Sequence, residues 1–200
     1  MLKRSLALTV ALAALLALAP AAHAAVVTVR VEGRTQTIWG KAPQTVVAAD
    51  ALEALRAASA RGEFFVNVRQ TSFGPFVDQV GRFPAAGLSG WIFKVNGVSP
   101  PVGADQVRLR DGDSVLWYWA DFDPASFAGP QTLVLRRTSP RCFASFRQDD
   151  NGALTPAQSV RVWITGVPKG SSASGRFCVR GTTGLVHVTA VGAVRSNALR

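Results

Sequence analysis

The stretch Ser114 to Trp119 constrains this chain more than any other. Val115, Trp117 and Trp119 alternate with Leu116 and Tyr118, so a strand here carries bulky apolar side chains on both faces. A strand apolar on both sides belongs inside a sheet, with neighbours to either hand.

The segments before it read as a sheet with one helix. Val27, Val29 and Val31 alternate with Thr28, Arg30 and Glu32, the period of a half-buried strand, and Thr35 to Trp39 can return beside it after Glu32-Gly33-Arg34. Lys41-Ala42-Pro43 ends that pattern. Asp50 with Glu53 three positions on forms a capping box ahead of Ala51 to Ala58. Leu52 and Leu55 share a face, and Gly62 stands where the helix would stop. A strand from Phe64 to Arg69 follows, then a loop containing Phe73-Gly74-Pro75-Phe76. The strand from Trp91 to Asn96 sets Trp91, Phe93 and Val95 on one face and Ile92, Lys94 and Asn96 on the other. Asn96-Gly97 is a hairpin signal, because a type I′ turn needs positive φ at both central residues. Asp111-Gly112-Asp113 supplies a second turn. Since the helix covers one face of such a sheet, an aromatic row is expected on the other face, at the surface.

Proline and glycine interrupt every period between Asp121 and Pro130, which marks a linker. Beyond it Gln131 to Arg137, Cys142 to Arg147, Val160 to Thr165, Arg176 to Arg180 and Leu185 to Val191 read as short strands, separated by turn-rich stretches such as Asp150-Asn151-Gly152 and Gly170-Ser171-Ser172. Short strands at this spacing suggest a small sandwich.

The N-terminus has the order of a secretory leader. Lys3 and Arg4 precede an apolar run from Leu6 to Ala19, Pro20 ends it, and Ala22-His23-Ala24 is a small-x-small exit. Residues 1–24 are therefore expected to be a signal peptide, cleaved after Ala24. The protein is expected to be secreted, extracellular or associated with the cell envelope, with no membrane span after cleavage. Without Lys3 and Arg4, the 22 basic residues fall to 20 against 12 acidic ones, a net +8. The basic residues are scattered, and export argues against nucleic acid as a partner, which leaves anionic envelope polymers or a solvated basic surface. Cys142 and Cys178 are the only cysteines. In an oxidising compartment they are expected to pair, the alternative being a buried or reactive free thiol.

Ser89-Gly90-Trp91-Ile92-Phe93-Lys94-Val95-Asn96-Gly97-Val98, then Val102 to Gln106, then Leu109-Arg110-Asp111-Gly112-Asp113-Ser114-Val115 closing on Trp117-Tyr118, resembles the transcobalamin-like C-terminal domain family (domain of unknown function 4430). The resemblance spans roughly residues 26–122. It implies a β-grasp-like domain, α+β, with one helix laid on a mixed sheet, similar to the part of animal cobalamin carriers that covers one face of the corrinoid. The helical barrel that closes the site in those carriers is not read in this sequence. The tail resembles an immunoglobulin-like module of secreted bacterial proteins, through Asp150-Asn151-Gly152, Gly175-Arg176-Phe177 and Arg195-Ser196-Asn197. The expected organisation is a signal peptide (1–24), a transcobalamin-like domain (25–122), a linker (123–130) and a small all-β immunoglobulin-like sandwich (131–200).

A flat ligand needs an apolar and aromatic floor with a few fixed polar groups at its edge. Trp91, Phe93, Trp117, Tyr118 and Trp119, with Asn96 and Gln106 near turns, are the candidate ligand-binding residues, and cobalamin is the ligand the resemblance implies. The bland reading of those aromatics is the core of a small sheet. A non-catalytic binding protein is expected. Past the leader His187 stands alone between Val186 and Val188, which argues against a Ser-His-Asp, Cys-His or multi-histidine metal site. Asp121 and Asp123 as a glycosidase pair, and Asp149-Asp150-Asn151 as calcium ligands, lie in turn sequences that need Asp and Asn for local hydrogen bonds. The other reading of the same domain is an envelope interaction module binding protein or glycan.

Overall fold

A computed structural model describes residues 24–181 and 184–200. The expected signal peptide lies outside the described residues but for Ala24. Strands β1 (Ala25–Glu32), β2 (Thr37–Trp39) and β3 (Thr45–Ala48) precede helix α1 (Ala51–Gly62). After it come β4 (Val66–Thr71), β5 (Gly74–Val80), β6 (Phe83–Pro84), β7 (Ser89–Val95) and β8 (Ser114–Asp121). Residues 122–130 form no strand or helix. The remainder carries β9 (Gln131–Ser139), β10 (Cys142–Gln148), β11 (Leu154–Pro156), β12 (Val160–Ile164), β13 (Val167–Ser172), β14 (Arg176–Cys178), β15 (Val186–Thr189) and β16 (Ala193–Val194). The chain is mostly β, with one helix among the described residues.

β8 is central, as its two apolar faces require. The first sheet runs β2-β1-β8-β7, with β3 also on β1, and it is mixed: β1 and β8 are parallel from Thr28 opposite Ser114 to Glu32 opposite Tyr118, while β7 pairs antiparallel with β8. One face packs on α1, where Leu52, Leu55 and Ala58 meet Val27, Val29, Val31, Val115 and Trp117. Removing this apolar area from water is the main stabilising term. A separate sheet β4-β5-β6 lies against β7.

The opposite face of β8 is not at the surface, which corrects the expected aromatic row. Tyr118 and Ala120 are fully buried and pack with Val194 of β16, alongside Ile92 and Leu116. The C-terminal strands are the second cover. Lys94, on the same face of β7, is also fully buried. Its ammonium donates to the carbonyl oxygens of Asp149 at 2.7 Å and Gln148 at 3.3 Å and lies 3.4 Å from an Asp150 carboxylate oxygen. Burial lowers its pKa, and Asp150 opposes that shift.

The helix starts at the expected cap: Asp50 accepts from the Glu53 N–H at 2.8 Å, while the Glu53 carboxylate reaches one residue beyond the cap and accepts from the Ala49 N–H at 3.0 Å. It ends at Gly62, where the sequence places its stop, but the left-handed residue is the next one. Glu63, with φ 52°, takes the left-handed position, and Gly62 serves close approach instead, since a Cβ there would overlap the Trp39 indole.

The C-terminal strands form two small sheets, β11-β10-β9-β16 with β14 on β10, and β13-β12-β15. Leu133, Leu135 and Phe143 of the first meet Val160, Val162 and Val188 of the second, an all-β sandwich arrangement. Cys142 and Cys178 are directly opposed on β10 and β14, with Cα atoms 4.0 Å apart, and form a disulfide. By chain entropy a crosslink over a loop of this length stabilises by roughly 3–4 kcal/mol.

Thr45–Ala48, unassigned from sequence, and two stretches read otherwise are strands. β3 pairs antiparallel with the first half of β1, although it starts two residues after Pro43. Phe73-Gly74-Pro75-Phe76 holds the turn into β5 rather than a loop; at Pro75, opposite Gln70, β5 has a neighbour on one side only, the setting in which a strand tolerates proline. Gly170-Ser171-Ser172 lies in β13, an edge strand, and the turn falls earlier, at Thr165-Gly166 with φ 49° and 78°.

Candidate functional site

Two cavities of ligand size lie at opposite edges of the first sheet. The first, about 330 Å³, is at the β7 edge. Trp91 and Phe93 of β7 and Trp117 of β8 line it, together with Pro75 and Phe76 of β5, Pro100, and Phe122 and Phe127 of the irregular segment after β8. Phe93 and Trp117 stack with centroids 4.9 Å apart, so their orientation is fixed by each other. Trp117 is also anchored by its indole N–H, which donates to the Ala51 carbonyl oxygen at 3.0 Å. Phe76 and Phe127 are 39% and 66% exposed, and they are the aromatic groups a ligand meets first.

The candidate residues named from sequence divide across this geometry. Trp91, Phe93 and Trp117 come together in the cavity. Trp119 lies behind it, packed edge-on against Trp91 at 5.8 Å and donating to Asp121. Tyr118 points to the other face, where its buried hydroxyl has no hydrogen-bond partner; burial, with Asp150 nearby, keeps it protonated well above the ordinary phenol range. Asn96 is engaged structurally: its amide donates to Asp113 at 2.8 Å and its side-chain oxygen accepts from the Ser114 N–H at 2.9 Å, which ties the Asn96-Gly97 turn to the Asp111-Gly112-Asp113 turn. Gln106 is exposed beside Gly103 at the rim. Phe76 and Phe127 were missed because both sit among glycines and prolines, where an aromatic residue has no period to join. Their signal was an apolar ring in a turn-rich segment.

The second cavity, about 360 Å³, is at the β1–β2 edge, between those strands and β12 and β15. Glu32, 1% exposed, accepts from Arg195 at 2.7 Å, Arg30 at 3.1 Å and the Thr37 hydroxyl at 2.9 Å. Burial lowers the pKa of Arg30, and its pairing with Glu32 opposes that. Trp163 and His187, opposite each other on β12 and β15, stack at 6.0 Å and nearly parallel. Burial, reinforced by Arg195, Lys41 and Arg30, pushes the His187 imidazole down to about 4, so it is neutral at neutral pH.

The remaining polar candidates serve turns. Asp123 accepts from the N–H groups of Ala125 and Ser126 and from the Ser126 hydroxyl, and these bonds lower its pKa. Asp149 accepts from the Asn151 and Ala153 N–H groups, and Asp150 accepts from Ser99. Among the described residues no three His, Cys, Asp or Glu side chains cluster so as to hold a metal ion. Among the same residues no helix is long and apolar enough to cross a membrane.

Fold and cavities together define a mostly-β protein with a helix-backed mixed sheet and an aromatic cleft at its edge. Residues 46–121 match the family described as "Domain of unknown function (DUF4430)". The match runs from β3 to the end of β8 and leaves β1 and β2 outside it. No curated protein matches the sequence. Among solved structures, a Ruminococcus gnavus ATCC 29149 protein with a provisional metal-binding description aligns at 20% identity and a TM-score of 0.39, over 50% of this chain and 99% of its own. Haptocorrin in complex with Cbi aligns at 17% identity and a TM-score of 0.42, over 50% of this chain and 26% of the haptocorrin chain.

Proposed function

We propose that this is a secreted, non-catalytic binding protein that takes a flat small ligand, corrinoid-like or smaller, in the aromatic cleft at the β7 edge. The observation that carries the reading is the convergence of Trp91, Phe93 and Trp117 with Phe76 and Phe127 around about 330 Å³. That volume is at the low end for small-molecule sites, so a large ring would enter by an edge or lie against the mouth. Trp119 then supports the floor from behind, Tyr118 packs on the far face of β8, Asn96 fixes the turn after β7, and Ser99 and Asp150 are the polar residues lining the cleft, with Gln106 beside Gly103 at its edge. The resemblance of residues 26–122 to transcobalamin-like domains supports the corrinoid class. We read the helix on its mixed sheet as β-grasp-like, the sandwich after residue 131 as immunoglobulin-like, residues 123–130 as the linker and residues 1–24 as the leader that exports the chain.

Titration of tryptophan fluorescence with cobalamin tests the reading. Saturable quenching that Phe76→Ala and Phe127→Ala each weaken, with the unfolding midpoint kept, is the expected result. No quenching by cobalamin or by other planar ligands, or quenching identical in both variants, would sink it. A second reading, a module that docks on an envelope protein or glycan, is favoured by Phe73, 96% exposed at the tip of the β4–β5 hairpin. Pull-down from envelope fractions that recovers the same partner with Phe73→Ala as with wild type would count against it.

A further inference from the structure

We propose that the cavity between β1–β2 and β12–β15 is a second binding site, for a small ring-bearing carboxylate. It shares no lining residue with the aromatic cleft. Three cations line it, Arg30, Lys41 and Arg195, against one acid, Glu32. Glu32 is already engaged by both arginines and Thr37, so the cavity keeps a positive excess. Lys41 is exposed and has no ion pair among the described residues. Each arginine contacts Glu32 through one terminal nitrogen, and a guanidinium offers further N–H donors in a planar fork that fits a carboxylate.

The rest of the lining suits a ring. Trp163 and His187 form a parallel aromatic pair, and the Trp163 N–H is already spent on the Thr189 hydroxyl at 2.9 Å. The imidazole, uncharged at neutral pH, adds apolar area rather than charge. Leu185 and Ala198 complete the apolar lining, and about 360 Å³ accommodates a molecule of one or two rings. Excess positive charge at one side and stacked rings at the other select an anion attached to a ring over a bare anion or a neutral ring.

The His187 imidazole proton resonance reports on this cavity directly, and His187→Gln distinguishes it from that of His23. Benzoate is the probe, benzamide its uncharged counterpart and inorganic phosphate the bare anion, each titrated into the full chain. The expected result is a saturable His187 shift with benzoate, at least tenfold weaker binding of benzamide, and at least tenfold weaker benzoate binding in Lys41→Glu with an unchanged unfolding midpoint. Benzamide titrating like benzoate, benzoate producing no saturable shift, or Lys41→Glu leaving benzoate binding unchanged would each overturn the site. Phosphate shifting His187 where benzoate does not would overturn the carboxylate assignment.

Discussion

The two cavities flank one sheet, yet they are held open by opposite means. At the β7 edge, rings support one another: Phe93 stacks on Trp117, Trp91 meets Trp119 edge-on, and Phe76 and Phe127 stand partly in solvent. At the β1–β2 edge a buried carboxylate holds two guanidinium groups against each other. The first arrangement tolerates loss of an outer ring, because each ring contributes its own buried area. The second is a network, and removal of its one anion leaves like charges facing each other, largely out of water.

Trp117→Ala is expected to have the largest effect, a loss of roughly 4–5 kcal/mol in denaturant unfolding. It removes a large core ring and the indole donor to the Ala51 carbonyl that ties β8 to the helix. Glu32→Ala should cost about 3 kcal/mol, the low end for breaking a buried ion pair, since Arg30 and Arg195 keep 15% and 16% side-chain exposure. A cost under 1 kcal/mol would mean that the charged cavity is not a network, and the contrast would collapse.

Acid sharpens the contrast further. The folded state holds His187 near 4 while the unfolded chain titrates it near its ordinary 6.5, so in that window the unfolded state binds more protons. Stability should therefore fall as pH drops from about 6.5 to about 4, and His187→Gln should flatten that part of a melting-temperature profile. The smallest expected change is that of Phe127→Ala, under about 0.5 kcal/mol, because its ring is largely exposed. Loss of ligand quenching without loss of stability would separate the two roles of the aromatic cleft.

What was legible in the sequence was what local chemistry decides. Alternation from Ser114 to Trp119 placed the central strand, Asp50 and Glu53 placed the helix start, and Asn96-Gly97 took the two positive φ values, 52° and 85°, that its turn demands. The paired cysteines followed the same logic. Short strands with one paired side were not legible: Thr45–Ala48 is four residues long, and Val167–Ser172 is almost wholly exposed, so neither carries a hydrophobic period. Half of the aromatic cleft was visible because Trp91, Phe93 and Trp117 lie on regular strands. The charged cavity was invisible, because Arg30 and Glu32 meet Arg195 across more than 160 positions of chain, and no spacing rule links them.

Lys94 gives the molecule a property best expressed in the language of amide exchange. A cation carried on β7 and held by the carbonyl oxygens at Gln148 and Asp149 loses its partners as soon as either element moves away, so opening one alone leaves a buried charge without oxygen. Amides of β7 and β10 should therefore exchange through one shared opening, at a common free energy, rather than as two independent units. Lys94→Met, which keeps the length of the side chain and removes its charge, should let the two strands exchange at different rates.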